Sequence, residues 1–285
     1  MEGFVCPLCA STKGIGVFVR PDGRNIYRCQ VCGLGSVFPR LTKVEVSALY
    51  KDDWSHFDAY RSQENSHREY FQKLFNRLST DVSLSGKKLL DIGCATGILL
   101  SVGKARGMEV LGVDISKSAV RFVKREGLPA VNGTVETVAK RMKLDRFDIV
   151  TALEIIEHEY DPIDMVKTVR TILKNSGILV ITTPNFDSPW VKLMGTHWVG
   201  FSHPEHLSFF TPETLTRVLK LAGFRKITVE PDIKRSYSLG YAILRLGDYI
   251  PVLSPVTRFL SPYVSKISLP LPVNPWGDML VIAKP

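Results

Sequence analysis

The chain has 285 residues, a formal net charge of +9, 45% hydrophobic and 23% charged residues, the balance of a globular protein with room for one large core and a small accessory unit. No positively charged start leads into an apolar stretch, and no uninterrupted apolar run approaches ~18 residues. No signal peptide and no membrane span are apparent, and a soluble, cytoplasmic protein is expected. Lys and Arg are scattered, with no dense basic run, so the charge reads as that of a basic enzyme and gives no strong nucleic-acid signal. Attraction to an anionic partner such as RNA, a phosphorylated sugar carrier or a lipid surface is the alternative.

In chain order, Cys6-Pro7-Leu8-Cys9 and Cys29-Gln30-Val31-Cys32 come first, with 19 residues between the pairs. Two C-x-x-C knuckles at that separation read as a four-thiolate zinc site, closed by protein ligands and hence structural. Gly16 to Arg20 alternate like a strand, Pro21 to Arg24 form a turn, and Asn25 to Arg28 return, giving a zinc ribbon over residues 1–40. So short a unit cannot bury enough core alone, and the metal supplies much of its stability. Residues 41–86 are a helical connector. Val44 to Tyr50 suit a short helix, and Glu69, Tyr70, Leu74, Phe75 and Leu78 recur at helical spacing in a longer one ending near Thr80. The aromatics Tyr50, Trp54, Phe57, Tyr60, Tyr70 and Phe71 are expected to pack between ribbon, helix and sheet, or in part to line a substrate pocket.

The main domain spans 87–285. Lys88 to Ile92 read as a buried strand, Gly93 and Gly97 bracket a tight turn, and Ile98 to Arg106 continue at helical spacing. This is half of a doubly wound nucleotide-binding unit, whose ligands sit outside the carboxyl ends of the strands. A dinucleotide turn is G-x-G-x-x-G, but here it is D-x-G-x-x-x-G. A carboxylate at Asp91 repels phosphate and suits a cation. A second strand, Glu109 to Asp114, ends in another acid 23 residues later, where a carboxylate takes the two hydroxyls of a ribose. These residues resemble the class I S-adenosylmethionine-dependent methyltransferases. The resemblance implies a seven-stranded Rossmann-like α/β sheet and S-adenosylmethionine held by Asp91, Gly93, Cys94, Gly97, Asp114, Ile115 and Leu153. In that family an acid near the adenine amino group follows the third strand, and Glu136 in Thr134-Val135-Glu136 is the nearest match. Cys94 is expected to be a small packing residue.

Further on, Ser116 caps a helix to Glu126, Pro129 to Asn132 suit a short strand and Phe147 to Ala152 a fourth. The run Glu154-Ile155-Ile156-Glu157-His158-Glu159-Tyr160-Asp161-Pro162 resembles the ubiquinone-biosynthesis type of O-methyltransferase, where it flanks the methionine end of the donor. Glu154 and His158 stand four apart, as on one helical face; His158 is either a structural histidine or a general base. Ile163 to Leu173 suit a helix, and Ile178 to Thr183 a fifth strand. An aromatic insertion, Phe186 to Phe210, carries His197, His203 and His206, and Thr211-Pro212 starts a helix. That helix closes at Gly223, and Phe224 to Glu230 give a sixth strand. The run from Glu205 to Phe224 resembles many small-molecule methyltransferases, and also sugar C-methyltransferases that pair a four-cysteine zinc unit with a Glu-His dyad. Those chains carry a further C-terminal domain, whereas this sequence stops after its seventh strand.

Methyl transfer from a sulfonium needs alignment and a dry site, plus a base when the acceptor must lose a proton. His206 with Glu205 is the first choice for that base and His203 the second; metal binding by the histidines and plain loop packing are the competing readings. Residues 233–277, a proline-rich helical insertion before the last strand Asp278 to Ala283, read as a lid. Alternatively they form a surface that meets membrane or a lipid-linked substrate through Lys234, Arg235, Arg245, Arg258 and Lys266. The expected function is O-methylation of a small-molecule or carbohydrate acceptor, with sugar C-methylation second. RNA methylation guided by the ribbon and a non-catalytic scaffold follow.

Overall fold

The computed structural model describes residues 3–20, 22–49, 63–141, 146–201, 203–233, 236–240, 243, 247, 251–264, 267–270 and 277–285. Tyr50, Trp54, Phe57 and Tyr60, and the basic residues Lys234, Arg235, Arg245 and Lys266, lie outside them. The ribbon comprises β1 (Gly14–Val19), β2 (Asn25–Cys29) and β3 (Gly35–Phe38), followed by α1 (Lys43–Leu49) and α2 (Glu64–Ser79). The α/β part then runs β4 (Lys88–Ile92), α3 (Ile98–Ala105), β5 (Glu109–Asp114), α4 (Lys117–Arg125), β6 (Ala130–Asn132), α5 (Val135–Arg141), β7 (Phe147–Leu153), α6 (Pro162–Ile172) and β8 (Leu173–Pro184). It closes with α7 (Pro189–Met194), β9 (Ser208–Phe209), α8 (Pro212–Leu221), β10 (Lys226–Pro231), β11 (Ser236–Ser238), α9 (Ser254–Val264), β12 (Ser268–Pro270) and β13 (Asp278–Lys284).

Seven strands form the central sheet in the order β10-β13-β8-β7-β4-β5-β6. Six strands run in one direction, and β13 alone runs antiparallel, between β8 and β10. β7 is buried at every position but its last, which requires both faces of the sheet to be covered. On one face α2 contributes Tyr70, Phe71, Leu74, Phe75 and Leu78, packed with Leu99 and Val102 of α3. On the other, α6 and α8 contribute Met165, Val166, Val169, Leu215 and Val218. Tyr70 and Phe71 are thus core, and the Tyr70 hydroxyl donates to Asp232 Oδ1 at 2.8 Å. Helix starts follow the capping residues: Ser116 accepts from the Ala119 amide, and Thr211 and Thr214 form a reciprocal box behind Pro212.

Three features differ from the sequence reading. Thr134-Val135-Glu136 is not a loop but leads into the helix α5, which starts at Val135; Gly133, at φ +141°, makes the turn into it, and a side chain there would collide with Thr137. Glu154 and His158 share no helical face: Glu154 has φ +55° and Ile156–His158 is a single 3₁₀ turn. Finally, the ribbon sheet gains a fourth strand from the far side of the sequence, since Gly35 and Ser36 of β3 pair with Phe209 and Ser208 of β9.

Candidate active site

The donor side lies at the carboxyl ends of β4, β5 and β7. Gly93, Ala95 and Gly97 all have positive φ (+74°, +43° and +74°), so the turn doubles back tightly enough to meet the tip of β5. There Asp114 Oδ2 accepts from the Ala95 amide at 2.9 Å and Oδ1 from the Ser116 amide at 2.8 Å. Asp91, 5% exposed, accepts from the Thr151 hydroxyl at 2.7 Å. Burial pushes the Asp91 carboxyl up to about 7 against that hydrogen bond, and the Asp114 charge pushes the same way. Burial also raises Asp114, although two amides hold it. Among the described residues neither acid is ion-paired to Lys or Arg, and the buried Thr96 hydroxyl has no partner. Two adjoining buried carboxylates without a cation suit a positively charged ligand and disfavour a pyrophosphate.

Ile115 is exposed beyond the β5 tip, and Leu153 is half-buried at the end of β7. Cys94 is buried, its thiol pushed far up by burial, and it packs so closely that a side chain at Gly112 would meet its sulfur at 2.6 Å. It is a packing residue, not a nucleophile. Glu136 stands in the first turn of α5, directly after β6 at the same edge of the sheet. Its charge, after burial, helps push Glu159 up to about 7.

Across this edge sits a cluster of three histidines and two acids. His206 is buried, and its Nδ1 lies 3.0 Å from the Gly200 carbonyl oxygen. A carbonyl only accepts, so Nδ1 carries the proton and Nε2 keeps its lone pair. Its ring stacks on His203 at 4.8 Å and lies 5.1 Å from the buried His158 ring. His203 Nδ1 meets Glu205 Oε1 at 3.1 Å. Burial drives both His206 and His158 toward the neutral form, His158 to about 4, while the charge of Glu205 opposes this in each. Glu205 is itself raised by burial, but the His203 hydrogen bond leads the effects that hold it at about 2. Glu157, which sequence reasoning quoted only as part of a motif, is buried at 1% exposure. It accepts from the Thr183 hydroxyl at 3.0 Å with Oε2, and its Oε1 has no partner among the described residues. Ligand atoms of Glu157, His158 and His206 lie within 4.8 Å of one another. Burial, with the Glu154 charge behind it, raises the Glu157 carboxyl well above the ordinary carboxylate range. His197 is exposed on a separate turn.

The ribbon forms the wall of this half. Cys6, Cys9, Cys29 and Cys32 are free thiols with ligand atoms within 4.8 Å of one another; the Cys6–Cys32 and Cys9–Cys29 sulfurs are 3.5 and 3.6 Å apart. Four sulfurs around a tetrahedral zinc are about 3.8 Å apart, so the donor set fits that ion. Ile26 and Val37 of the ribbon pack with Phe186, Trp198, Phe201 and Phe209 of the aromatic insertion. The buried Arg20 donates to the His206 carbonyl at 3.1 Å. Arg28 pairs with Asp187 at 2.6 Å, and Arg40 donates to the Tyr160 carbonyl. The sequence reading gave Arg20 only as the end of a strand; one arginine in a scattered basic composition carries no local mark of its partner 186 residues away.

The family described as "Methyltransferase domain" matches residues 60–229. The ubiquinone biosynthesis O-methyltransferase of Coxiella burnetii is 28% identical over 184 residues, 58% of this chain and 79% of that protein. The protein of the same name from Chromobacterium violaceum is 31% identical over 173 residues, 55% and 74% of the two chains. Among solved structures, the magnesium protoporphyrin IX methyltransferase of Synechocystis with bound SAH superposes with a TM-score of 0.56, covering 86% of this chain and 100% of that one, at 13% identity.

Proposed function

This chain belongs to the class I S-adenosylmethionine-dependent methyltransferases, and on that premise we propose that it O-methylates a small-molecule or carbohydrate acceptor, with His206 as general base. The observation that carries the reading is the fixed tautomer of His206, whose Nδ1–H is committed to the Gly200 carbonyl so that Nε2 is free to take a proton. The donor supplies an electrophilic methyl group on a positively charged sulfur. Asp91 and Asp114 bind and orient its charged and hydroxylated ends, and the glycine turn brings backbone amides against it. The burial that keeps His206 neutral makes it a weak base at rest. An attacking hydroxyl becomes strongly acidic as its bond to carbon forms, so a neutral imidazole suffices. Glu205, ionised beside His203, favours the imidazolium that results. The four thiolates hold a structural zinc in this reading, and the ribbon with its aromatic partners closes the acceptor side against water.

The Glu205–His206 pair would also serve a carbon acid, so sugar C-methylation is the second reading. A labelled-methyl screen of quinols, phenols and nucleotide sugars tests the proposal: transfer of label to oxygen supports it, and transfer to a sugar carbon selects the second reading. With an acceptor in hand, His206→Ala should leave donor binding intact and lower kcat roughly 10²- to 10⁴-fold. Full activity would move the base elsewhere.

A further inference from the structure

The insertion between β10 and β13 leaves and re-enters the sheet at the edge that carries the site. Asp278 pairs with Pro184 at the end of β8, Pro231 pairs with Met279, and the Asn185 amide donates to the Gly277 carbonyl at 3.3 Å. Inside the insertion β11 pairs antiparallel with β12, and between them lies α9, Ser254–Val264. This helix is inside out for a protein in water. Its buried residues are the hydroxylated Thr257 and Ser261, and the Thr257 hydroxyl donates to the Ser254 carbonyl. Its apolar residues face outward: Val256 is 54% exposed, Phe259 67%, Leu260 43% and Tyr263 74%. Val252 before the helix and Ile267 after it are exposed as well. The spacings of four, three, one, three and four residues keep this set on one side. The Phe259 and Tyr263 rings contact each other at 5.6 Å. A contiguous apolar stripe of this kind calls for a non-aqueous cover.

Charge indicates what the cover is. Arg258 is exposed on the same helix, to the side of the apolar stripe. Across 233–277 the sequence holds five Lys or Arg residues and a single acid, Asp248, with no Asp or Glu from 249 to 277. A second copy meeting this segment by twofold symmetry would bring together two net-basic stretches of sequence that hold no acid from 249 to 277. An exposed aromatic and aliphatic helix face, in a segment of sequence with five cations and one acid, matches the boundary between headgroups and acyl chains of an anionic bilayer. No helix among the described residues is long and apolar enough to cross a membrane, so contact here is with the surface. We propose that the α9 face, Val252 to Ile267, docks this protein on anionic lipid bilayers, setting the donor edge of the sheet against the membrane. The inference does not depend on which acceptor is methylated.

The test is co-sedimentation of the full chain with phosphatidylcholine vesicles, with and without phosphatidylglycerol, over a salt series. Wild type should partition onto the anionic vesicles, less onto neutral ones, and less as salt rises. The double variant Phe259→Ser/Tyr263→Ser should lose partitioning by about tenfold or more, and Arg258→Glu by roughly five- to tenfold, since each acts on a separate part of interfacial binding. These side chains are exposed, so melting temperature and the donor-induced thermal shift should match wild type. If the double variant melts early, Arg258→Glu and the salt series carry the test. Absence of binding to anionic vesicles, or wild-type binding by both variants, would overturn the proposal. So would light scattering showing a wild-type dimer that the double variant reduces to monomer, since a second copy would then be the cover.

Discussion

The two halves of the site are built in opposite ways. The donor half comes from one stretch of chain, with Asp91 and Asp114 on neighbouring parallel strands and the turn between them held by Asp114 itself. The acceptor half is assembled from four distant segments: the ribbon, residues 154–161, residues 186–187 and residues 198–209. Local backbone geometry therefore sets the donor site, and long-range packing sets the acceptor site. Damage to one should leave the other standing, and the predictions below test that separation.

The largest effect is expected at Asp114. Its two oxygens each accept a backbone amide, and in the proposed reading it also holds the donor's ribose, so Asp114→Ala removes both the hold on the turn and that proposed contact. Charge-assisted hydrogen bonds contribute about 1.5–3 kcal/mol each, so donor affinity should fall ~100-fold or more. Zinc content and the packing of Trp198, on the other half, should not change. Isothermal titration with the donor and metal analysis check the two arms, and parallel loss of both would break the separation.

A smaller, pH-dependent effect is expected at Asp91. Burial and the neighbouring Asp114 place its carboxyl at about 7, above the ordinary carboxylate range. Below that value the ligand-free site holds a proton on Asp91, and a cationic donor must displace it. Above it the carboxylate is already formed. Donor affinity should therefore rise about tenfold per pH unit up to about 7 and then level off, with a proton released on binding below the plateau. Titration in buffers of different ionisation enthalpy counts that proton. Asp114→Asn removes a like charge and should move the plateau to lower pH even as it weakens binding. A flat affinity from pH 5.5 to 8 would show that Asp91 does not meet the cationic part of the donor.

The same division explains what could be read in the sequence. The succession of strands and helices along the central domain, the acids at the strand tips and the capped helix starts follow from periodicity and spacing over a few tens of residues, and the structure places them as expected. The four cysteines likewise announce their cluster by spacing. The pairing of β3 with β9 could not be read, because a two-residue strand at Ser208–Phe209 leaves no periodic trace. Nor could the inversion of α9: its apolar spacing is that of any amphipathic helix, and only the packing of Thr257 and Ser261 shows which side faces in. The positive φ at Glu154 defeated the helical reading of Glu154 and His158, since a left-handed glutamate is not expected from composition.

The smallest effect, and the sharpest test of the acceptor half, is at Arg20. It is 3% exposed; one nitrogen donates to the His206 carbonyl at 3.1 Å and another pairs with Asp22 at 3.2 Å. Burial lowers its pKa and the Asp22 charge opposes that, with Glu205 adding a weaker attraction. Arg20→Met keeps much of the buried volume but leaves the His206 carbonyl without this donor, at a cost of about 1–3 kcal/mol in stability. Because the lost bond is to the backbone of the proposed base, kcat should fall a few-fold while donor Kd stays at the wild-type value. Arg20→Lys should recover part of the loss by restoring a donor, though not the forked geometry that lets one side chain serve both His206 and Asp22. A variant that lost donor affinity together with turnover would mean that the ribbon supports the whole site, and that the two halves are not separable.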